Sequence, residues 1–447
     1  MSVEHGEKEY LGWLEKRNSE RLIVPRWRQP IAGIVATALA LALALVTWYF
    51  LFNPLAKYGL RLYTPLYGYM FDRWLLICCI WMAYVFDYTL LFKREWVEKW
   101  HPAKKGPILT LITVAVMLFT IYVVFDAILG RLGIPYFSFK MMRDVGHIVP
   151  TGTPGHITEF YAREYVSMAL LMVAAIASWL SPSIPVYFEF WPWRGKLKQP
   201  VLGATVLLVT MLFTLYLFFV LMHPHMGLLF VPWQVYTASL MTPEKIGTWW
   251  YEIAHTLHGN FNVAWIMAMT CTIWYFESIW EREPFFTLFK KQPWRGLASF
   301  AGTTLFALGI FWALQLLFAQ QLGPATEGAF RRAGFMWRYL HAAEWFIFWL
   351  CGALTLAFFF DNWPRRWSTP TNWIIRNILM VLGGLAMAWF YYELGPTLLG
   401  TTKGLDQPEQ YPMVWGIWYV NILLIMNWFF DNWPVYKPVY LRKGSRE

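Results

Sequence analysis

The chain has 447 residues, of which 58% are hydrophobic, 20% aromatic and 14% charged, with a formal charge of +10. So apolar a composition excludes a soluble enzyme with a single anchor and describes a polytopic membrane protein. The positive charge does not point to nucleic acid, because the basic residues punctuate apolar runs instead of forming one patch.

Residues 1–29 are polar and basic, with no cleavable signal. They form a cytoplasmic N-terminal segment, and the first apolar run acts as an uncleaved start-transfer helix. Ten runs follow at about 30–53, 68–92, 107–130, 158–181, 199–222, 250–276, 297–319, 337–360, 374–399 and 411–430. Each is near the ~20 residues a bilayer requires, so the expected fold is all-α with ten transmembrane helices. Segments 1–29, 93–105, 182–198, 277–296, 361–376 and 431–447 hold 25 of the 37 Lys and Arg. By the positive-inside rule both termini are cytoplasmic.

Even-numbered runs end in aromatics and an acid: Val85-Phe86-Asp87, Tyr275-Phe276-Glu277, Phe359-Phe360-Asp361 and Phe429-Phe430-Asp431. The last two continue alike as Asp-Asn-Trp-Pro, and related turns occur at Phe190-Trp191-Pro192-Trp193 and Gln292-Pro293-Trp294. The chain therefore reads as five tandem helical hairpins. Trp favours the headgroup layer, Pro stops the helix, and the acid satisfies freed backbone donors or a nearby Arg. Cys78, Cys79, Cys271 and Cys351 lie inside the runs without zinc-finger spacing and read as small apolar core residues.

Seven of the nine histidines fall on the expected outer side: His147, His156, His223, His225, His255, His258 and His341. Imidazoles gathered at one depth suggest a metal site or a proton path. Asp144, His147, His156 and Glu159 cluster around the start of the fourth run, a ligand set that suits copper, zinc or iron. Helix capping with the acids paired to Arg143 and Arg163 is the competing account. Glu252, His255 and His258 form one helical stripe, for metal, proton relay or interhelical hydrogen bonds. His341-Ala342-Ala343-Glu344 is a reversed, partial echo of that step, and His223-Pro224-His225 is a third candidate or an interfacial turn. There is no Walker motif, dinucleotide loop, nucleophile elbow or haem-attachment motif. The runs are expected to lack the inward Asp/Glu/Arg set of ion-coupled carriers, Asp126 being the main exception.

The stretch Thr153-Pro154-Gly155-His156-Ile157-Thr158-Glu159-Phe160-Tyr161 resembles a signature from one integral membrane component of the copper membrane monooxygenases. That superfamily includes particulate methane monooxygenase and ammonia monooxygenase. Thr248-Trp249-Trp250-Tyr251-Glu252 through Leu257-His258-Gly259-Asn260-Phe261 is similar to the same component's second aromatic-Glu stretch. The resemblance covers about residues 30–285 and implies copper, with His156 and His258 as the last ligands of two sites. Asp144 and His147 are substitutes by position for an upstream Asp-x-x-x-His pair, and the family's Asn-x-x-x-His pair has no counterpart. Residues 286–447 would be an additional four-helix region, since the family's component ends after about six spans.

The expected function is a metal-binding subunit, with copper or alternatively iron or zinc, of a monooxygenase-type complex in a bacterial inner (cytoplasmic or intracytoplasmic) membrane. Asp144, His147 and His156 would form one site with Glu159 behind them. His255, His258 and Glu252, joined by His223 or His225, would form the other. Lipid, other membrane subunits or further copies of the chain, and a small hydrophobic or gaseous substrate are the expected partners. A transporter or channel built from tandem hairpins and a structural subunit are the alternatives.

Overall fold

The computed structural model describes residues 21–53, 67–132, 134–144, 155–222, 257–321, 330–364, 368–401 and 410–440. It is mostly helical. The long helices are α1 (Ile31–Leu51), α2 (Tyr67–Ile80, continuing in π geometry over Trp81–Val85), α3 (Pro102–Leu118, continuing over Phe119–Gly130) and α4 (Gly155–Tyr187). Next come α5 (Val201–Met222), α6 (Leu257–Ser278), α7 (Trp294–Gln321) and α8 (Phe330–Phe359). The last are α9 (Thr369–Trp389) and α10 (Gln410–Leu424, continuing over Ile425–Phe429). Among the described residues, eight helices are long and apolar enough to cross a membrane; the segments of α2 and α6 are not in that set.

The helices sort into two concentric layers. The even-numbered helices pack in a closed cycle, α2 on α4, α4 on α6, α6 on α8, α8 on α10 and α10 on α2. The odd-numbered helices lie outside, α5 against α4 and the end of α2, α7 against α4, α6 and α8, α9 against α8, α1 against α8 and α10, and α3 against α2 and the end of α10. Burial follows the same division. Within the apolar windows, 89%, 72% and 89% of α4, α8 and α10 is buried, against 22–33% for the outer helices. A helix that is apolar all round belongs inside, and this is how the inner sequences read.

The turn after each inner helix is built alike. Pairs of residues with positive φ stop the chain at Asp87-Tyr88, Glu189-Phe190, Glu281-Arg282, Asp361-Asn362 and Asp431-Asn432. Asp and Asn tolerate this left-handed region better than most side chains. The first pair ends α2 at Val85, short of the boundary near 92 expected from hydropathy. The third pair corrects the repeat's register. The helix runs through Tyr275-Phe276-Glu277 to Ser278, Glu281 takes the turn position, and Glu277 instead binds Arg282 at 2.6 and 2.9 Å.

The starts of the outer helices dock on these turns. Gln29, Gln199 and Gln292 each donate from Nε2 to an inner-helix carbonyl, Phe359, Val85 and Tyr187 respectively, at 2.8–3.0 Å. The same side chains accept from the N–H of Gly33, Gly203 and Gly296. One amide thus satisfies an orphan donor of one helix and an orphan acceptor of another. Those glycines lie flat against Phe360, Phe86 and Phe188, where a Cβ would come within 2.3–2.6 Å of the ring. Ion pairs repeat the link: Lys105–Asp431 at 2.8 Å, Arg295–Glu189 at 3.1 Å and Arg376–Glu281 at 2.9 Å. Finally β1 (Arg21–Pro25) pairs antiparallel with β2 (Tyr436–Tyr440), Arg21 opposite Tyr440, joining the two ends of the chain beside these turns.

Candidate functional site

The residues expected to hold metal are distributed as follows. His147, His223, His225, Glu252 and His255 lie outside the described residues. Asp144 ends the short helix Phe139–Asp144, His156 lies in the first turn of α4, and His258 lies in the first turn of α6. Glu159 is exposed. Because Ser178 of α4 meets Thr270 of α6 at 3.2 Å, His156 stands further from the turns than His258, by roughly 15 Å at 1.5 Å per helical residue. Their positions suit two separate sites better than one. Among the described residues, no three His, Cys, Asp or Glu side chains converge as a metal-ligand set.

Asp126, the acid singled out within an apolar run, has a local task. It accepts from Ser138 Oγ at 2.7 Å and from the Phe139 N–H at 3.0 Å, at the entry to the short helix Phe139–Asp144. The four cysteines are free and buried.

Ionisable groups do collect inside the inner layer, contrary to the expectation from sequence. Asp72 and Arg73 on α2 are each 1% exposed, and Glu344 on α8 is 2% exposed. Asp72 turns towards α10, where Asn421 Nδ2 donates to its Oδ1 at 2.7 Å and to its backbone carbonyl at 2.9 Å. Arg73, one residue on, points elsewhere. Its Nη2 donates to Met267 Sδ on α6 at 2.9 Å. In the inner cycle α2 adjoins α4 and α10, and α6 stands across from it. The Arg73 side chain therefore crosses the axis of the layer.

Tyr69, one turn before Arg73, lies within Coulombic range of Arg73, Asp72, Cys271 and Glu344, which come from α2, α6 and α8. On α8, Glu344 Oε2 takes hydrogen bonds from His341 Nδ1 and from Tyr392 OH, both at 2.9 Å. The His341–Glu344 step is the one sequence candidate whose two side chains the described structure brings together. Towards the turns the axis is filled by Tyr84, Trp274 and Trp428, from α2, α6 and α10, with ring centroids 5.0–5.8 Å apart. The axis thus has an aromatic end beside the turns and a polar centre farther away. Arg73 precedes the turn residue Asp87 by about 14 positions, roughly 21 Å of helix.

This arrangement can hold and exchange a proton on the Glu344 carboxyl and can bind an acceptor at the Arg73 guanidinium. Asp72-Arg73 was visible in the sequence as a charged pair inside an apolar run, which is costly and by default functional. Its partners were not visible, because they come from helices nearly 200 and 350 residues away.

Comparison with known proteins gives no matching family, curated protein or solved structure.

Proposed function

We propose that this chain is a multi-pass membrane protein crossing the bilayer ten times as five tandem hairpins, and that it moves protons with a small solute along the axis of its inner layer. The observation that carries this reading is the convergence of Arg73, Tyr69 and Glu344 from helices that face one another across that axis. Charges are retained at such depth only where they are partnered or functional. Glu344, held by His341 and Tyr392, is the proton-exchanging group, and the Tyr84–Trp274–Trp428 cluster closes the path at the turn end. The basic loops at the turn end place that end and both termini in the cytoplasm by the positive-inside rule. Helices α2 and α6 span as well, shielded from lipid by the outer layer.

The test is reconstitution into liposomes with an internal pH dye, an imposed membrane potential, and a panel of small anionic, cationic and neutral solutes. The wild type is expected to pass protons with at least one solute class, and Glu344→Gln to lower that flux at least tenfold. Proton-tight vesicles throughout the panel, or equal flux in Glu344→Gln, would overturn the proposal.

A copper-dependent oxidase component is the second reading. It is favoured by the adjacency of α4 and α6, whose first turns carry His156 and His258 at the end opposite the turns. Those histidines, with Asp144, His147 and His255, would hold the metal, which would supply oxygen activation. Elemental analysis of the purified protein and of His156→Ala decides it: this reading requires copper in the wild type and less in the variant.

A further inference from the structure

We propose that Arg73 anchors a binding site for a small planar oxyanion, a carboxylate or an inorganic anion such as nitrate, on the axis of the inner layer. This names the solute class of the transport reading and rests on it for its role, although the binding itself does not require transport. Arg73 is buried, and its only hydrogen bond among the described residues goes to a thioether, a weak acceptor. Its Nε and Nη1 are buried and have no hydrogen-bond partner there. Removing a guanidinium from water costs several kcal/mol, which a thioether contact does not offset.

The carboxylate nearest in sequence does not fill the role. Asp72 is turned to Asn421 on α10, while Arg73 faces Met267 on α6. What remains open on Arg73 is the Nε–Nη1 edge, two parallel donors in one plane. That edge matches two oxygens of a planar oxyanion, and a spherical halide uses it poorly. Tyr69 and Cys271 line the same point, and Glu344 stands within range to carry the accompanying proton. The crowding of five inner helices restricts the ligand to a few heavy atoms.

Equilibrium dialysis of radiolabelled acetate against the full chain in detergent tests the site. Unlabelled formate, nitrate, chloride and acetamide serve as competitors. Saturable acetate binding is expected, displaced by formate or nitrate and at least tenfold less well by chloride and by neutral acetamide. Displacement by formate alone identifies a carboxylate site, and displacement by nitrate as well identifies a general oxyanion site. Arg73→Gln is expected to weaken binding at least tenfold, with Arg73→Lys, which keeps the charge without the fork, in between.

Absence of saturable binding in the wild type, or acetamide competing as well as formate, overturns the proposal, and neither result depends on a variant folding. Equal affinity in folded Arg73→Gln also overturns it. Binding without proton flux leaves the oxyanion site standing and removes the transport reading. Flux that is sensitive to Glu344→Gln, without oxyanion binding, does the reverse.

Discussion

Asn421 shows how one side chain secures a charged group inside an apolar layer. Its Nδ2 bridges the Asp72 carboxylate and the Asp72 backbone carbonyl, tying α10 to α2. Replacing it with leucine keeps the volume and removes both bonds. Leaving buried acceptors unsatisfied costs about 1–3 kcal/mol. Asn421→Leu is therefore expected to lower the denaturation midpoint of the detergent-solubilised protein, and an unchanged midpoint would show that Asp72 finds another donor. The charged pair itself was legible in the sequence, whereas its orientation was not. Adjacent helical residues point about 100° apart, and an inner helix that is apolar all round gives no pattern to say which direction faces the axis.

At the scale of elements, the contact between α8 and α9 depends on an approach of backbone to backbone. A Cβ on Gly352 would collide with the Met380 carbonyl oxygen and lie 2.9 Å from the Gly384 nitrogen. Small residues at such crossings let helices approach without a hydrophobic drive, as packing within a bilayer requires. Because the obstacle is backbone, it cannot swing aside. Gly352→Val is expected to cost about 1–3 kcal/mol or more. Gly309→Ala on α7 is the control, since nothing lies within 4 Å of a Cβ there. Equal thermal stability of the two variants would contradict the packing described. The turns tell a related story. The Phe-Asp repeats were readable, yet the third needed the positive φ of Glu281 and Arg282 to fix its register, because Tyr275-Phe276-Glu277 imitates the same pattern four residues early.

At the scale of the whole molecule, the outer layer presents apolar side chains to its surroundings. Leu111 and Leu305 are each 69% exposed, on α3 and α7, and Leu208 on α5 is 62% exposed. If these faces meet lipid, a charge placed among them opposes insertion by about 2.5–3.5 kcal/mol. Leu305→Arg is expected to reduce the carbonate-resistant, membrane-integrated fraction of the protein. A fraction equal to wild type would argue that this face is covered by protein or water.

The helical class, the apolar runs, the basic segments between them and the aromatic-acid turns all follow from the order of residues, because each is a local property of composition or spacing. The same is true of His341 and Glu344, whose three-residue step sets them on one helical face. The division into an inner cycle of even-numbered helices and an outer layer of odd-numbered ones is different, since contacts between segments far apart in the chain make that choice. Folding alone brings Arg73 to Met267 across the axis and sets Asp72 against Asn421. The reason is physical: side chains that meet on the axis share no spacing along the chain, and only closure of the cycle puts them at one depth.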